Sequence, residues 1–567
     1  MAQHLPAPRQ PRIPRDARAH LLSLRELVRP FVTWTWVREH LPLINSKSVR
    51  RRAAVVLPPY KRKYTLHGAL LPLIALPMLC LGCLIYGFFF GLTAPYLLVP
   101  FAAPIALLIL VSIWALPDQR SAPTLGIEVC FLIYFLCLGM WPDYLAIHLP
   151  GMPWITPLRM VGIPMAGLLL ISLSVSPSFY RAFVQSVTEI KPLWYALASF
   201  WILELISIGF SSSPGSSANG VFTSFISVNC VFFISCMIFR RIEFVERYYA
   251  VLCLMVIPIA IITVLEFRIQ HCVWRDYLPP FLRNPGDPTF RIAMQPIFRP
   301  GTNVYRAKSI FKTSLILAEY LGMMTPFLLY FATTKRALAI RLAALAMVPL
   351  CFISIRMTDA RLGLVAMLVS VLLYGLAVAF REWRSRPQNL LSTAVLFASP
   401  VAFMGALGAV LVSHQLNMMV FGGEAQAGSN AARAEQINMA LARIATHPWG
   451  FGPGQSGMAM GYAQSDFITI DNYFISMVLD YGPIGTLLWY FSFAMGIYCA
   501  VRYSFDRKYI RAREAEMLVP LGIGLCAFLV VKWVHGQGEL HAIEYMMLGM
   551  ISALVLRLRA RQSVTPK

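Results

Sequence analysis

Residues 422–485 read GGEAQAGSNAARAEQINMALARIATHPWGFGPGQSGMAMGYAQSDFITIDNYFISMVLDYGPIG and form the longest polar interruption in the second half of an otherwise apolar chain. The stretch contains Arg433 on a run with helical spacing, a glycine-rich turn from His447 to Gly454, and Asp471-Asn472 where a new apolar segment begins. Polar, irregular backbone between apolar segments occurs where a membrane chain meets water or lines a site. We therefore expect this stretch to supply half of a functional site.

The rest of the chain has the composition of a membrane protein. Of its 567 residues, 58% are hydrophobic and 13% are charged, and the mean hydropathy is +0.63, whereas a soluble chain carries about 25% charged residues. Runs of roughly 18–22 apolar residues recur, and each is long enough to cross the hydrocarbon core of a bilayer. The sequence predicts an all-α polytopic membrane protein with about fourteen transmembrane helices, both termini in the cytoplasm and two long outer loops. The predicted spans are residues 69–91, 94–116, 124–141, 159–176, 192–210, 221–239, 248–266, 313–333, 338–356, 361–380, 393–413, 472–501, 517–535 and 541–558.

The net charge of +23 does not indicate nucleic-acid binding. The positive residues cluster at alternate span ends, as the positive-inside rule predicts. The cysteines lie mostly inside apolar spans, and Cys80 and Cys83 form a CxxC in the middle of one span, so we expect neither disulfides nor a redox site. The chain lacks HExxH and DxD patterns, and we expect no metal and no cofactor.

Residues 1–68 are predicted to form a basic cytoplasmic region before the first span. Within it, residues 19–44 place leucines and other apolar residues at helical spacing, with arginines between them. This helix lies either on an anionic membrane surface or against the protein itself. Further along, residues 211–220 read SSSPGSSANG and are predicted to be a plain turn.

The two long outer loops are residues 267–312 and 414–471, and the first departs from the positive-inside rule. It contains eight lysines and arginines but only Asp276 and Asp287 as acids. An anionic partner such as phosphate, pyrophosphate or a lipid headgroup would explain this charge. The alternative is a solvated basic loop, because long loops translocate regardless of their charge.

Three arginines next to predicted spans are candidates for anion binding. Arg361 stands at the mouth of a span in RMTDARLGL, where a charge is costly unless it snorkels, pairs with Asp359 or finds an anion. Arg306 precedes a span in NVYRAKSIF, where an interfacial anchor is the alternative. Arg433 lies on the helical run SNAARAEQINMALARIATHP, and a solvated helix face is its alternative. The apolar face predicted for that helix consists of Ile437, Leu441 and Ile444.

The order and spacing of these motifs resemble the bacterial O-antigen ligase and polymerase superfamily of membrane glycosyltransferases. The family pattern begins with R-x-x-G/S-x-F and S-R-G/S, which correspond here to Arg306–Phe311 and Ala360–Gly363. An arginine-bearing helix then leads into HP-x-x-G-x-G, here Arg433 followed by His447–Gly454. The pattern ends with H/D-N-x-[YF]-L and G-x-x-G, which are similar to Asp471–Phe474 and Gly482–Gly485.

The resemblance covers residues 300–558 and is strongest in 355–490. It implies a domain organisation of N-terminal transmembrane helices with the first half of the basic loop at 69–300, a catalytic membrane region at 301–558, and a cytoplasmic tail at 559–567. The implied fold is that of a GT-C-like glycosyltransferase in the bacterial inner membrane, with its site facing the periplasm.

The resemblance also implies the reaction. The donor is a glycan on undecaprenyl pyrophosphate, and an acceptor hydroxyl attacks its first sugar with inversion and without a metal. Catalytic roles fall on Asp471, Arg361 and Arg433, and substrate-binding roles on Arg306, His447, Asn472 and Lys532. Ligases carry a histidine where this chain has Asp471, and this difference favours a polysaccharide repeat-unit polymerase, of O-antigen or exopolysaccharide, over an O-antigen ligase acting on lipid A-core.

Each of these residues also has a simpler interpretation. Asp471-Asn472 would cap the following helix, since both side chains accept backbone N–H bonds. The turn at His447 would shape the site without taking part in chemistry. Lys532 either contacts phosphate or forms an internal Lys–Glu pair between helices.

The interpretation from another class is a transporter or flippase of lipid-linked saccharides. The expected partners are the lipid-linked donor, a glycan acceptor and the bilayer. A chain-length regulator or export machinery is a further candidate partner, and no nucleic acid is expected.

Overall fold

The computed structural model of the protein describes most of the chain after residue 103. The described residues are 77–78, 81–82, 85, 104–119, 121–147, 155–284, 286–299, 303–414, 417, 424–461, 463–464, 467–468, 470, 472–536 and 538–564. The predicted helix at residues 19–44 and Asp471 lie outside this set. The chain divides into two compact units, one of residues 1–103 and 335–341 and one of residues 104–334 and 342–567. The site and the contacts that build it belong to the second unit.

The described part of the chain is almost entirely helical. Its helices in chain order are α1 (Pro104–Trp114), α2 (Thr124–Met140), α3 (Pro157–Val175), α4 (Pro177–Val187), α5 (Lys191–Ser207), α6 (Pro214–Ser224), α7 (Cys230–Ile238), α8 (Ile242–Ile269), α9 (Pro288–Met294), α10 (Ser314–Thr333), α11 (Leu338–Thr358), α12 (Arg361–Ser385), α13 (Leu390–Val412), α14 (Glu424–Thr446), α15 (Ser456–Met460), α16 (Tyr473–Phe505), α17 (Arg513–Lys532) and α18 (His541–Val564). Two strands of two residues each, β1 (Ala463–Gln464) and β2 (Phe467–Ile468), pair antiparallel in the long loop before α16.

Ten helical segments in the described residues are long and apolar enough to cross a membrane, and they coincide with ten of the fourteen predicted spans. The predicted spans 124–141 and 393–413 correspond to α2 and α13, whose apolar parts are shorter. The predicted span 94–116 is described only from α1 onward, and 69–91 lies largely outside the described residues. The protein is therefore a multi-pass membrane protein.

Three helices form the centre of the bundle. The apolar windows of α10, α17 and α18 are 83%, 78% and 89% buried, against 22% for α11. The helix α12 approaches α10 closely because small residues face each other: a Cβ on Gly322 would stand 2.9 Å from that of Ala366, and one on Gly363 2.7 Å from that of Ala318. Small residues are what lets membrane helices come this close. This contact fixes the start of α12, where Arg361 lies.

The stretch 211–220 is not the plain turn that the sequence predicted. Pro214 occupies the first turn of α6, a position where its missing N–H costs nothing. The helix continues through a π-helical turn at Phe225–Asn229 into α7, so that one span runs from Pro214 to Ile238. The prediction was wrong because serines and glycines do not prevent a helix that tertiary contacts hold in place.

The basic stretch 267–312 is folded and has a small core of its own. Leu278, Leu282 and Phe290 are buried against Tyr144 and Leu145 from the loop after α2. These contacts tie the middle of the stretch to a neighbouring loop, so it is not a freely solvated segment.

A buried carboxylate holds the end of the basic stretch to the bundle. Glu266, at the end of α8, accepts hydrogen bonds from Tyr305 Oη at 2.8 Å, from Lys308 N at 3.1 Å and from Ser309 N at 2.5 Å. The side chain of Lys308 is also buried and donates to the carbonyls of Ile292 and Gln295. This lysine therefore stabilises the loop.

The end of the bundle away from the basic stretch holds several of the ion pairs among the described residues. Arg381 donates to the carbonyls of Ser504 and Ile510 at 2.8 and 2.7 Å, and Arg557 pairs with Glu514 at 3.2 Å. Arginines at this end are therefore engaged with the ends of neighbouring helices. The end where α8, α11 and α17 finish and α10, α12 and α16 begin is called the loop end.

Candidate anion-binding site at the loop end

Residues 297–299 and 303–306 pair as antiparallel segments, and this pairing places Arg299 and Arg306 on the same face of the pair. Phe298 and Tyr305 form an antiparallel bridge, Arg299 N donates to Val304 O at 2.9 Å, and Arg306 N donates to Ile297 O at 2.9 Å. Since side chains alternate along paired strands, Arg299 and Arg306 share one face and Tyr305 points to the other. Tyr305 is 2% exposed and bonds to Glu266, which anchors the pair of segments. Burial and the neighbouring carboxylate raise the pKa of Tyr305.

The two arginines reach the turn between α11 and α12. Arg299 Nη1 lies 2.6 Å from Asp359 Oδ2, and Arg306 Nε donates to the carbonyl of Thr358 at 3.3 Å. A backbone bond from Ala307 N to Met357 O, 3.0 Å, holds the segments together. Asp359 is in the left-handed region with φ +51°, and the turn delivers Arg361 to the first position of α12.

Arg433 joins this group from a distant part of the sequence. The positive charges of Arg299 and Arg433 and the negative charge of Asp359 all act on the guanidinium group of Arg361. Three segments separated by more than fifty residues each thus contribute arginines to one region. The structure therefore brings together the three arginines that the sequence singled out and adds Arg299 to them. Asp359, which the sequence offered as a partner for Arg361, pairs here with Arg299.

The helix that carries Arg433, α14, buries only part of the predicted apolar face. Ile437 and Leu441 are 44% and 61% exposed, whereas Gln436 and Ala440 are 1% and 2% exposed. Ala440 packs with Met460 of α15 and with Ile475 and Leu479 of α16. Ile444 of the predicted apolar face also packs there, so the prediction is confirmed for Ile444 and wrong for Ile437 and Leu441, because the tertiary contacts of Ala440 set the buried face of this helix.

Several arginines lie together in this region. Among the described residues, Arg299, Arg306, Arg361 and Arg433 bring positive charges to it, and Asp359, paired with Arg299, brings a negative charge. Guanidinium groups bind phosphate and carboxylate oxygens through paired N–H donors and keep their charge at any physiological pH. Among the described residues, no group of His, Cys, Asp and Glu is arranged to hold a metal ion. The arginines of this region are suited to bind an anion that carries several charges.

The glycine-rich turn before α15 docks into a break in α16. Gly482 interrupts α16 with φ +71° and ψ 178°, and its backbone lies directly against the carbonyl of Pro448. Phe451 N donates to Leu479 O at 2.7 Å, and Gly452 N donates to Asp480 O at 3.0 Å. The turn thus satisfies carbonyl groups that the break releases from the helix.

His447 lies at the start of this turn with its side chain exposed. Its ring packs on that of Phe451 with 4.4 Å between centroids, and its Nδ1 lies 3.0 Å from Thr446 Oγ1. Both contacts are made with residues of the turn or of the helix end that leads into it. They suit a residue that shapes the turn.

Asp480 lies in an apolar span, and its side chain is hydrogen-bonded to the glycine-rich turn. Its buried carboxylate accepts a hydrogen bond from Ser456 N at 2.6 Å and further bonds from the backbone N–H groups of Gly454 and Gln455. Residues 452–457 spell GPGQSG, a glycine pattern that in other proteins cradles phosphate with such N–H groups. Here Asp480 takes the place of the phosphate as the acceptor, so this loop is built around an internal carboxylate.

Asn472 caps α16. Its side chain accepts from Phe474 N at 2.8 Å and from Ile475 N at 3.4 Å, as the capping interpretation predicted. The backbone just before position 471 also packs on the loop after α17, because Gly536 lies directly against the carbonyl of Ile470. The start of α16 is therefore fixed by its own cap and by a neighbouring loop.

Lys532 lies beneath this loop as the last residue of α17. Its Nζ is 2.9 and 3.2 Å from the two carboxylate oxygens of Glu319, and the two side chains are 0% and 1% exposed. His535 Nε2 stands 3.5 Å from the same carboxylate. The structure places Lys532 in the internal Lys–Glu pair that was the alternative to a phosphate contact.

The sequence offered some signal for the two residues that were missed. Arg299 belongs to the basic stretch 267–312, but only the pairing of residues 297–299 with 303–306 places it beside Arg306. Asp480 is an acid inside an apolar run, and such a residue is a functional or structural hypothesis by default.

A comparison with known families identifies the region that contains these residues. Residues 345–490 match the family model described as O-antigen ligase. No curated protein matches the chain. The matched region runs from α11 into α16 and includes Arg361, Arg433, the glycine-rich turn and Asn472. The match confirms the resemblance drawn from the motifs and supports a function of the O-antigen ligase or polymerase type.

Proposed function

We propose that this protein is a polysaccharide repeat-unit polymerase of the bacterial inner membrane. It transfers a glycan from undecaprenyl pyrophosphate to a hydroxyl of the next lipid-linked acceptor at the periplasmic face. The observation that carries the proposal is the convergence of Arg306, Arg361 and Arg433 from separate segments on one region of the loop end. Two of these arginines lie within the region that matches the O-antigen ligase family.

The arginines suit the departing group of this reaction. As the bond between the first sugar and the diphosphate breaks, its electron pair stays with the diphosphate, and negative charge grows on the bridging oxygen. Guanidinium groups held near that oxygen bind the growing charge more tightly than the charge of the intact donor. This differential binding lowers the barrier, and arginine supplies it without a cation.

Asp471 and Asn472 are the residues that we assign to the acceptor in this reaction. In a single displacement with inversion, the acceptor oxygen forms a bond to the sugar carbon and loses its proton. Asp471 is the proposed general base for that proton. Asn472 fixes the helix start immediately after it, and His447 shapes the glycine-rich turn.

The acceptor distinguishes a polymerase from a ligase. The resemblance places a histidine in ligases where this chain has Asp471, and this favours the polymerase. An O-antigen ligase that uses lipid A-core as its acceptor is the alternative within the same chemistry.

A transporter of lipid-linked saccharides is the alternative from another class, and one observation favours it. The helix α16 is broken at Gly482, and broken helices form substrate sites in many transporters. In this chain, however, the glycine-rich turn bonds to the carbonyls of Leu479 and Asp480 at the break. Those groups therefore serve the fold, and the enzyme is the better supported function.

The test is chain extension by purified protein with a lipid-linked repeat unit. Arg361→Ala and Arg433→Ala are expected to abolish extension while the protein still inserts into the membrane. Arg275→Ala is the matched control, because Arg275 is an exposed arginine of the basic stretch away from these contacts. Near-normal extension by both cluster variants would refute the role of the arginines. Transfer to lipid A-core and not to a second repeat unit would identify the ligase.

A further inference from the structure

Asp359 lies among arginines that would bind an anionic substrate. Its carboxylate is 2.6 Å from Arg299 Nη1, and its charge also acts on Arg361. The side chains of Asp359 and Arg299 are 20% and 19% exposed, so the protein covers most of each side chain and leaves a part of each in reach of solvent. A carboxylate in this place is a direct competitor for any phosphate that enters the cluster, because both anions use the same guanidinium donors.

The backbone fixes where this carboxylate stands. Asp359 adopts φ +51°, a left-handed conformation that an aspartate tolerates and most residues avoid. Thr358 Oγ1 accepts a hydrogen bond from Ala360 N at 3.1 Å and itself donates to Ile355 O at 2.6 Å, which closes the turn on both sides. These contacts fix the backbone of Asp359, and none of them involves Arg299.

The position of Arg299 has a different support. The antiparallel pairing with residues 303–306 sets its backbone, and the anchor of that pairing is Tyr305 on Glu266. Neither Arg299 nor Asp359 therefore needs the other for its backbone to be in place. Their side chains can exchange partners without a rearrangement of the fold.

We propose that Asp359 is an internal counterion that holds Arg299 until a diphosphate binds, and that Arg299 then leaves Asp359 and becomes a fourth arginine ligand of the diphosphate. The inference rests on the proposed function, because it concerns the same site. It adds a binding residue and a competing carboxylate to that site. The exchange keeps the repulsion between neighbouring arginines low before the substrate arrives and delivers one more donor afterwards.

The experiment is titration calorimetry of the full-length protein in lipid nanodiscs with inorganic pyrophosphate, without divalent cations. Asp359→Asn removes the competing charge and keeps a side chain that suits a left-handed backbone, so we expect pyrophosphate to bind about 3- to 10-fold more tightly. Arg299→Ala is expected to weaken binding about tenfold, and Arg299→Lys less. Asp276→Asn, at an exposed aspartate of the same basic stretch, makes the same charge change outside the cluster and is expected to leave the affinity unchanged.

A second variant guards against an effect on folding. Asp359→Gly also removes the carboxylate, and glycine adopts a φ of +51° without strain. This variant should therefore bind pyrophosphate more tightly, as Asp359→Asn does. If Asp359 served only to orient Arg299, both substitutions would weaken binding, and this result would overturn the inference. In that case Arg361→Ala would still weaken pyrophosphate binding, and the proposed function would stand. A wild-type protein that does not bind pyrophosphate would overturn both.

Discussion

The carbonyl group of Pro448 lies directly against the backbone of Gly482 and leaves no room for a side chain there. Gly482 also has φ +71° and ψ 178°, a conformation that is essentially restricted to glycine. The contact joins the glycine-rich turn to the break in α16. Two sequence motifs that lie more than thirty residues apart are therefore one structural unit.

Gly482→Ala should destabilise the protein by about 3 kcal/mol or more, because backbone strain adds to the overlap with Pro448. The measurement is thermal unfolding in detergent together with chain extension. Gly167→Ala is the matched control, because nothing lies within 4 Å of a Cβ on Gly167 and the residue is inside α3. We expect that control to be neutral or to stabilise by about 0.5–1 kcal/mol. Equal melting temperatures for the two variants would contradict the packing.

The buried pair of Lys532 and Glu319 leads to a second prediction. Lys532→Met leaves the carboxylate without its main partner inside the bundle, and we expect a loss of about 3–5 kcal/mol in the free energy of unfolding. The double variant Lys532→Met, Glu319→Gln should recover much of that loss, because a neutral amide then replaces the carboxylate that lost its lysine. Thermal or denaturant unfolding of both variants measures the difference.

An exposed pair provides the control for that experiment. Arg386 and Glu382 lie 3.6 Å apart at i,i+4 positions of the α12 end, with side chains 77% and 41% exposed. Arg386→Met is expected to change stability by no more than about 0.5 kcal/mol. If Arg386→Met lowered the free energy of unfolding as much as Lys532→Met does, burial would not be the cause of the large effect at Lys532.

His535 gives the stability a dependence on pH. Burial and the positive charges of Lys532 and Lys312 lower its pKa well below the usual value, and the carboxylate of Glu319 is already paired with Lys532. The unfolded chain binds a proton at this histidine below about pH 6.5 while the folded chain does not. Above that pH, the protonation of His535 therefore does not affect the free energy of unfolding. As the pH falls below it, His535 lowers the free energy of unfolding progressively.

The expected result is a melting temperature that drops between about pH 6.5 and 5 in the wild type and drops less in His535→Asn. The comparison between the two proteins isolates this group from the carboxylates that titrate in the same range. His271→Asn is a control, since His271 is a half-buried histidine in the stretch after α8. Parallel curves for wild type and His535→Asn would rule out the assigned role of burial.

The elements that the sequence predicted well depend on local properties. Span positions follow from the length of each apolar run, and the cap at Asn472 follows from the preference of asparagine for the start of a helix. Arg361 and Arg433 were singled out by motif order, and the structure brings their charges within range of each other. None of these inferences needed a helix to be placed relative to its neighbours.

The elements that were missed depend on packing between distant segments. The face of α14 is set by Ala440 against α15 and α16, which the spacing of Ile437 and Leu441 does not reveal. The place of Arg299 beside Asp359 depends on an antiparallel pairing and on a left-handed turn sixty residues later. Such contacts arise from tertiary structure, which overrides local preference.

Asn472 is a test of what the helix cap alone contributes. Its side chain bonds to the N–H groups of Phe474 and Ile475, so Asn472→Ala should cost about 1 kcal/mol of stability. Asn472→Asp keeps an acceptor in the cap and is expected to retain most of that stability. Both variants should extend glycan chains at rates within a few-fold of the wild type if the residue acts mainly as a cap. Loss of extension in the stable Asn472→Asp variant would indicate direct contact with substrate.

The substitution Asp471→Asn distinguishes proton transfer at position 471 from capping of α16 by Asn472. A neutral amide can accept hydrogen bonds but cannot take the proton of the acceptor hydroxyl, so we expect chain extension to fall about a hundredfold or more. Pyrophosphate binding and the melting temperature should stay close to those of the wild type, because the arginines and Asn472 are unchanged. Asp471→Glu, which keeps the acid at a shifted position, should retain more activity than Asp471→Asn. Extension by Asp471→Asn at the rate of Asn472→Ala would contradict the role of a general base, since proton transfer would then occur without the carboxylate.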